Sequence, residues 1–262
     1  MHSTLETACE AARLGGRILV EYLGKAAVRE KAPADLVTDA DVASQVAIEK
    51  LVRARFPQHE FLGEESRQAD REAAVASGRP VWVVDPLDGT ANFVHRLPGF
   101  SVSVALVEGS EPKVGVVYDP LSDTLYAATS DGRATKNNKP IRASGCERLD
   151  KAMVCCSFRP NVRRDDVEVN QFLNVLESSQ SLRRLGSAAM NLCYVAEGCL
   201  DAYWATSVKA WDVAAGGLIA RVAGAQLTAI NGGKFDLWDP RLLATASPSL
   251  HAAMLECLYP KR

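Results

Sequence analysis

The sequence has no apolar run long enough to span a membrane, little net charge and few aromatic residues. Its apolar runs fall well short of the roughly 20 residues that a transmembrane helix needs. The 262 residues carry a formal net charge of −2, which argues against the broad basic field of a nucleic-acid-binding protein. We therefore expect neither a membrane nor a nucleic acid as partner. The hydrophobic content of 47% is sufficient for a large core.

The seven cysteines lack the order that would indicate a disulfide framework or a zinc site. Their number is odd, and no Cys-x-x-Cys pair occurs. The residues from Met1 to Glu6 have neither the basic nor the apolar part of a signal peptide. These absences favour reduced, mostly buried thiols in a cytoplasmic protein.

The most informative stretch begins with four apolar residues, 81–84, which are β-branched or aromatic and predict a buried strand. Pro86 cannot donate a hydrogen bond to a neighbouring strand, so we expect the strand to stop there. Asp85 and Asp88 lie three residues apart at this end. Two carboxylates so placed repel each other unless a cation lies between them.

Gly89 and Thr90 follow these acids, and the backbone there can turn into a short helix. The free N–H groups of such a turn can bind an anion. Ligands for a cation beside a site for phosphate are typical of a centre that transfers or hydrolyses phosphoryl groups.

Before residue 145 the pattern predicts helices and then a meander of strands. Ser3 and Glu6 form a capping box for a helix over 3–23, and a second helix is predicted over 41–55. Residues 24–40 are charged and aperiodic, which predicts a loop, and 67–79 predict a loop or a weak helix. Short strands separated by turn residues are predicted over 101–107, 114–118, 124–128 and 134–136.

After residue 145 the pattern alternates between strands and helices. Strands are predicted over 153–157, 181–185, 201–204, 226–229 and 242–246. Helices are predicted over 166–178, 187–197 and 212–222, with a last helix that Ser247 and Pro248 begin and that runs to residue 258. We predict an α/β protein with an α+β subdomain of residues 1–145, containing an antiparallel sheet, and an α/β subdomain of residues 146–262.

Further acids lie at Glu64, Glu65 and Asp212. Each has an ordinary explanation: Glu64 and Glu65 as a solvated pair, Asp212 as the first residue of a helix, where an anion is favoured. Asp85 and Asp88 by themselves are compatible with a simple turn. These ordinary explanations account for each acid alone but are weaker for all of the acids taken together.

That set resembles the inositol monophosphatase family, magnesium-dependent and lithium-sensitive phosphomonoesterases. The motifs occur in the family's order across nearly the whole chain, and their combination is far more specific than any one of them. The resemblance also implies a layered αβαβα sandwich and a homodimer. The motifs are Asp35-Leu36-Val37-Thr38 leading to Asp41, Gly63-Glu64-Glu65-Ser66, Asp85-Pro86-Leu87-Asp88-Gly89-Thr90-Ala91-Asn92-Phe93, Gly186-Ser187-Ala188-Ala189 and Trp211-Asp212-Val213-Ala214-Ala215-Gly216.

The resemblance implies two Mg²⁺ ions in each active site. Glu64, Asp85 and the carbonyl of Leu87 correspond to ligands of one ion. Asp85, Asp88 and Asp212 correspond to ligands of the other, with Asp85 bridging. Carboxylate and carbonyl oxygens are the ligands that this hard cation prefers.

The remaining roles also follow from the resemblance. Glu65 corresponds to an acid that holds water bound to metal, and Thr90 with Asp41 to the pair that orients the attacking water. Gly89 and Thr90 offer backbone N–H groups to phosphate, while Gly186 and Ala188 lie on the substrate side with Leu87, Asp88 and Asp212. Lys31 either reaches the site or a third, weaker metal, or is a solvated lysine.

One position departs from the family pattern. Members specific for inositol have a Glu six residues before the Trp-Asp pair, which accepts a hydrogen bond from a ring hydroxyl; this chain has Ala205. Loss of such a hydrogen bond costs about 1–3 kcal/mol in discrimination. Ser207 or Lys209 could contact a different alcohol or a second anionic group, although a lysine is more often a surface charge.

The substrate is therefore left open within one chemistry. A small phosphorylated polyol or sugar is expected, first of all inositol monophosphate, with histidinol phosphate, a fructose bisphosphate or phosphoadenosine phosphate as alternatives. A haloacid-dehalogenase-like phosphatase also places two acids after a strand, but two residues apart, and the first is a covalent nucleophile. A non-catalytic member of the family is a further alternative.

Overall fold

Helices and sheets alternate in five layers. The computed structural model describes residues 3–32, 35–159 and 161–260, and the side chains of residues 31, 32 and 35 lie outside that description. The α-helices within these residues are α1 (Thr4–Tyr22), α2 (Asp39–Arg55), α3 (Gln68–Ala76), α4 (Thr90–Val94), α5 (Val167–Ser178), α6 (Ala188–Glu197), α7 (Ala210–Val222) and α8 (Pro248–Leu258).

The strands form a hairpin and two larger sheets. The hairpin pairs β1 (Val28–Ala32) with β2 (Asp35–Thr38). A seven-stranded sheet has the order of the chain, and only its first two strands are parallel. Its strands are β3 (Glu60–Gly63), β4 (Val81–Asp88), β5 (Ser101–Glu108), β6 (Glu111–Asp119), β7 (Thr124–Thr129), β8 (Thr135–Lys136) and β9 (Lys139–Pro140).

The second sheet has five strands in the order β11-β10-β12-β14-β13. Strands β11, β10 and β12 are parallel to one another, and β14 is antiparallel to both of its neighbours. Its strands are β10 (Met153–Ser157), β11 (Ser181–Arg183), β12 (Ala202–Ala205), β13 (Gln226–Ala229) and β14 (Leu242–Thr245).

Three helical layers cover these sheets. Helices α1 and α2 pack on one face of the seven-stranded sheet, and α6 and α7 lie between the two sheets. Helices α5 and α8 pack on the outer face of the five-stranded sheet, where Val154 and Trp204 point, while Cys155 and Tyr203 point to the inner core. The predicted αβαβα sandwich is confirmed.

Close backbone approach lets α7 fit between the sheets. A Cβ atom on Gly115 of β6 would lie 2.8 Å from the carbonyl oxygen of Ala215 in α7. Small residues at both positions therefore allow the helix that contains Asp212 to press against the seven-stranded sheet.

Most of the predicted elements are confirmed within a residue or two at their ends, and the capping box of Ser3 and Glu6 is formed. The predicted loop over 24–40 is wrong, because residues 28–32 and 35–38 pair as β1 and β2. This hairpin has a charged sequence, and alternating apolar residues do not mark it. The weak helix over 67–79 is α3, and the strand predicted over 134–136 ends at Lys136, as β8 does.

The division into residues 1–145 and 146–262 stays a prediction. The change from one sheet to the other falls between Pro140 and Met153. One hydrophobic core nevertheless includes residues from both sheets, such as Val83 and Tyr203. No helix in the described ranges has both the length and the apolar character needed to cross a bilayer.

Candidate active site

Asp85 and Asp88 lie at a bulge in β4, and the strand does not stop at Pro86 as predicted. Asp85 pairs with Ser103 and Asp88 with Ser101, so three steps along β4 match two steps along β5. A bulge tolerates a proline because the bulged residue makes no regular pairing. The two carboxylates therefore stay on a buried strand, with only 2% and 7% of their residue surfaces exposed.

Asp88 is held at the first turn of α6. Its Oδ1 accepts from the N–H of Ala188 at 3.1 Å and its Oδ2 from that of Ala189 at 2.8 Å. The hydroxyl of Ser187 donates a short hydrogen bond to Oδ2. Burial raises the pKa of Asp88, and these donors oppose the increase. The Gly186–Ala189 motif thus reaches the acids through direct hydrogen bonds that the sequence did not reveal.

Asp85 shows that the acids form one group. Its Oδ1 accepts from the N–H of Leu87 at 2.9 Å. Burial raises its pKa well above the usual range, and the charges of Glu64, Asp88 and Asp212 raise it further, in that order. Carboxylates change one another's pKa strongly only when they lie close together, and the effect grows in surroundings of low polarity. The structure therefore brings together acids that lie far apart in the sequence.

Asp212 enters this group from α7, which begins two residues earlier than predicted. Asp212 is the third residue of the helix, and its Oδ2 accepts from the N–H of Lys209 at 2.7 Å. Its pKa is also raised well above the usual range, by burial first and then by Asp88 and Glu64. Lys209 itself is exposed.

Thr90 and Asp41 lie beside the acids. The hydroxyl of Thr90 is 3.1 Å from the carbonyl oxygen of Leu87 and 3.5 Å from Oδ1 of Asp41. The other oxygen of Asp41 accepts from the N–H and the hydroxyl of Thr38, completing a capping box at the start of α2. Burial is the largest cause that raises the pKa of Asp41 to about 6, and Glu65 adds to it.

Gly89 makes the turn between the acids and α4. Its φ of 91° is in the left-handed region, and a Cβ atom would come within 3.0 Å of the carbonyl oxygen of Gly99. As the N-cap of α4, Gly89 has no side chain with which to cap the helix. Gly186 is the second glycine of the site that needs a positive φ, and Asn92 packs closely against it.

A cavity of about 310 Å³ brings most of these residues together, and Asp41 lies outside its lining. Ser157, Phe158, Arg184 and Ser207 are among the side chains that share the cavity with the acids. The guanidinium of Arg184 lies 4.2 Å from the centre of the Phe158 ring. The complete lining is Glu64, Asp85, Leu87, Asp88, Gly89, Thr90, Ser157, Phe158, Arg184, Gly186, Ala188, Ser207, Val208 and Asp212.

The chemistry of this donor set fits a hard divalent cation, since it offers carboxylate and carbonyl oxygens whose mutual repulsion a cation would relieve. In the described part of the chain, however, no three His, Cys, Asp or Glu side chains already form a metal-binding cluster. The acids are collected in one cavity, and several of their oxygens are engaged by the chain's own N–H groups.

Sequence reasoning missed several residues of the cavity and the contact that Ser187 makes with Asp88 beside it. Ser187 is the N-cap of α6, a role that its position before a small-residue helix could have indicated. Ser157, Phe158 and Arg184 have no motif that could have revealed them. The side chain of Lys31 lies outside the described residues, and so does that of Asp35.

Comparison with known proteins gives a consistent result. The model of the inositol monophosphatase family matches residues 1–260. Inositol monophosphatase 2 of Solanum lycopersicum is 39% identical over 251 residues, which are 94% of this chain and 94% of that protein. The fructose-1,6-bisphosphatase/inositol-1-monophosphatase of Aquifex aeolicus is 38% identical over 257 residues, 96% of this chain and 94% of that one.

A solved structure is also similar over its full length. The extragenic suppressor protein suhB from Bartonella henselae superimposes with a TM-score of 0.91 at 31% identity, covering 100% of both chains.

Proposed function

The chain belongs to the inositol monophosphatase family of phosphomonoesterases, and we propose that it is a Mg²⁺-dependent hydrolase of a small phosphate monoester, inositol monophosphate first of all. The observation that supports this most is the single cavity that contains Glu64, Asp85, Asp88 and Asp212. Asp85 and Asp88 are buried and Glu64 and Asp212 are partly buried, so cations would relieve the repulsion among the four carboxylates at neutral pH.

Two Mg²⁺ ions would be held by the residues that the family resemblance implies. Glu64, Asp85 and the Leu87 carbonyl would hold one, and Asp85, Asp88 and Asp212 the other. When bound, the metal would neutralise the phosphoryl oxygens and make a water molecule a better nucleophile. Each carboxylate has two oxygens with about four acceptor sites in all, so an oxygen that accepts from an N–H group can still bind an ion.

The chain's own residues would then orient the reaction. The hydroxyl of Thr90 lies 3.5 Å from Oδ1 of Asp41, so this pair could accept the proton of an attacking water. Glu65 would hold a second water. The N–H groups of Gly89 and Thr90 would contact phosphate oxygens. Ala188 leaves space for the substrate. A covalent intermediate is not required, since water can attack the phosphorus directly.

The experiment is a hydrolysis assay with inositol 1-phosphate in the presence of Mg²⁺, followed by addition of EDTA and of lithium. We expect turnover that disappears with EDTA and falls with lithium. A phosphorylated aspartate trapped by acid quench would instead favour a haloacid-dehalogenase-like reaction. Binding of inositol phosphate with no turnover at any Mg²⁺ concentration would favour a non-catalytic protein.

A second candidate substrate class has a leaving group with its own negative charge, such as a fructose bisphosphate. Arg184 lines the cavity and makes no ion pair within the described ranges, and Ala205 supplies no carboxylate to repel an anion. A relative from Aquifex aeolicus is named as a fructose-1,6-bisphosphatase as well as an inositol-1-monophosphatase. Histidinol phosphate and phosphoadenosine phosphate stay in the substrate panel.

The variant Arg184→Gln tests this second class, with Arg183→Gln as control. Arg183 is the adjacent exposed arginine, and its guanidinium donates hydrogen bonds to Ser181 and Leu182 of its own strand. We expect Arg184→Gln to lower kcat/KM for the bisphosphate by about 10-fold and to change that for inositol monophosphate little. Equal losses on both substrates would contradict a specific role in binding a second anion.

We further infer a cytoplasmic homodimer from the family. Helix α5 offers exposed apolar side chains, with 59% of Val167, 45% of Leu173 and 49% of Leu176 accessible. Light scattering coupled to size-exclusion chromatography should give twice the mass of one chain. A monomer at micromolar concentration would contradict this inference.

A further inference from the structure

Arg71 of α3 contacts two of the segments that supply acids to the cavity. Its Nη2 donates a short hydrogen bond to the carbonyl oxygen of Glu64. Its Cζ lies 4.6 Å from the centre of the Trp211 ring, in a cation–π contact. Trp211 directly precedes Asp212. One guanidinium therefore joins the end of β3 to the start of α7.

The position of Arg71 differs from that of an ordinary surface arginine. Its Nε is buried and makes no hydrogen bond within the described residues, and no carboxylate of these residues forms an ion pair with it. Arg67, one turn earlier, makes a bidentate pair with Asp70 in solvent. Burial of a donor without an acceptor costs free energy, so the contacts of Arg71 with Glu64 and Trp211 must compensate.

Trp211 is also held from its other side. Its carbonyl oxygen accepts from the hydroxyl of Ser103 at 3.1 Å. Ser103 lies opposite Asp85 in the pairing of β5 with β4. A continuous path of contacts therefore runs from Glu64 through Arg71, Trp211 and Ser103 to the strand that contains Asp85.

We propose that Arg71 is a positioning residue, which fixes the backbone of Glu64 against Trp211 and so sets the distance between the Glu64 and Asp212 carboxylates for a shared set of cations. The inference rests on the proposed function. Like charges push these segments apart, and the charge of Arg71, placed behind them rather than among them, holds their backbones together. Groups that orient ligands in this way typically change metal affinity by 10–100-fold.

The test measures Mn²⁺ binding to the full chain without substrate, by the loss of the free-ion signal in electron paramagnetic resonance. Arg71→Met should weaken binding by about 10-fold. Arg71→Lys, which retains a charge and a donor, should recover part of the affinity. Arg67→Met, at the N-cap of the same helix, is the matched control and should bind as the unaltered chain does.

Coupling to Trp211 is tested by Trp211→Leu alone and together with Arg71→Met. If the two residues act as one unit, the double variant binds Mn²⁺ no more weakly than the weaker single variant. Melting curves without metal separate this effect from general destabilisation. Should Arg71→Met fail to fold, the comparison of Arg71→Lys with Trp211→Leu serves the same purpose.

Unchanged affinity in Arg71→Met, an equal loss in Arg67→Met, or fully additive losses with Trp211→Leu would each overturn the positioning role. Failure of the unaltered chain to bind Mn²⁺ would overturn the proposed function too, so the two failures can be told apart.

Discussion

The acidic residues of the cavity and the rest of its lining come from different parts of the fold. The acids lie at the ends of β3 and β4 and at the start of α7, against the seven-stranded sheet. Ser157 is the last residue of β10, while Arg184 and Ser207 follow β11 and β12, and these three strands are parallel neighbours in the five-stranded sheet. The carboxyl ends of parallel strands meet at one edge, which is where ligands commonly bind.

The two sets of cavity residues differ in chemistry, which indicates different roles. The acidic set offers carboxylate oxygens, which suit a hard cation, and its motifs resemble those of the family. The other set contains a guanidinium and hydroxyls, and Ala205, opposite Ser157 in the sheet, supplies no acid beside it. We infer that the first set determines the reaction and the second the substrate. The predictions below test that separation, in decreasing order of expected effect.

The largest effect is expected from Asp88→Asn, which removes one charge from the acidic set. Activity should fall by about 10³-fold on every substrate, since both the cation site and the α6 contact are altered. Asp119→Asn is the matched control: Asp119 is also a buried acid that accepts from backbone N–H groups, at Leu121 and Ser122, outside the cavity. If the activity lost in Asp88→Asn differs between substrates, the proposed separation of reaction and substrate residues is contradicted.

Asp41 predicts a pH dependence common to all substrates. Its pKa is raised to about 6, so the carboxylate that accepts a proton is present above that pH and neutral below it. We expect kcat/KM to fall about 10-fold for each pH unit below 6. The phosphate ester itself titrates near this pH, so Asp41→Asn is needed as a reference. If kcat/KM of Asp41→Asn falls below pH 6 as steeply as that of the unaltered chain, the titration belongs to another group.

Ala205→Glu should change the substrate preference and leave the reaction intact. The residue is fully buried at the end of β12, beside Ser157 of β10. A carboxylate reaching the cavity could accept from an inositol hydroxyl, and we expect about a 10-fold gain in kcat/KM relative to glycerol phosphate. Ala205→Met has a similar length and no acceptor, and should give no gain. A comparable change in both variants would indicate altered packing alone.

The smallest effect is expected in thermal stability. The raised pKa values of Asp85 and Asp212 mean that the folded chain retains protons that the unfolded chain releases, so metal-free stability is greatest at low pH and falls as the pH rises through the folded values. Mg²⁺ should therefore raise Tm by a few degrees more at pH 8 than at pH 5.5. Calorimetry with KCl at equal ionic strength checks this, and equal increases at both pH values would argue against cation binding by these acids.

Local sequence was a good guide where one strong pattern dominated. The four apolar residues before Asp85 predict a buried strand, and Ser247 with Pro248 predicts the start of α8; both are observed. The β1–β2 hairpin was missed because its charged residues show no alternation of apolar and polar side chains, although the two strands are close neighbours in the chain. The end of β4 was misplaced because a bulge accommodates Pro86.

The sequence by itself determined which acids are candidates for binding a cation, the order of the acidic motifs and most of the helices and strands. These features follow from residue chemistry and local periodicity. Only the tertiary structure decided that Asp88 accepts hydrogen bonds from α6, that Arg71 joins Glu64 to Trp211, and that Arg184 faces the acids. Such contacts join residues that are far apart in the chain, and the order in which strands pair and helices pack brings them together.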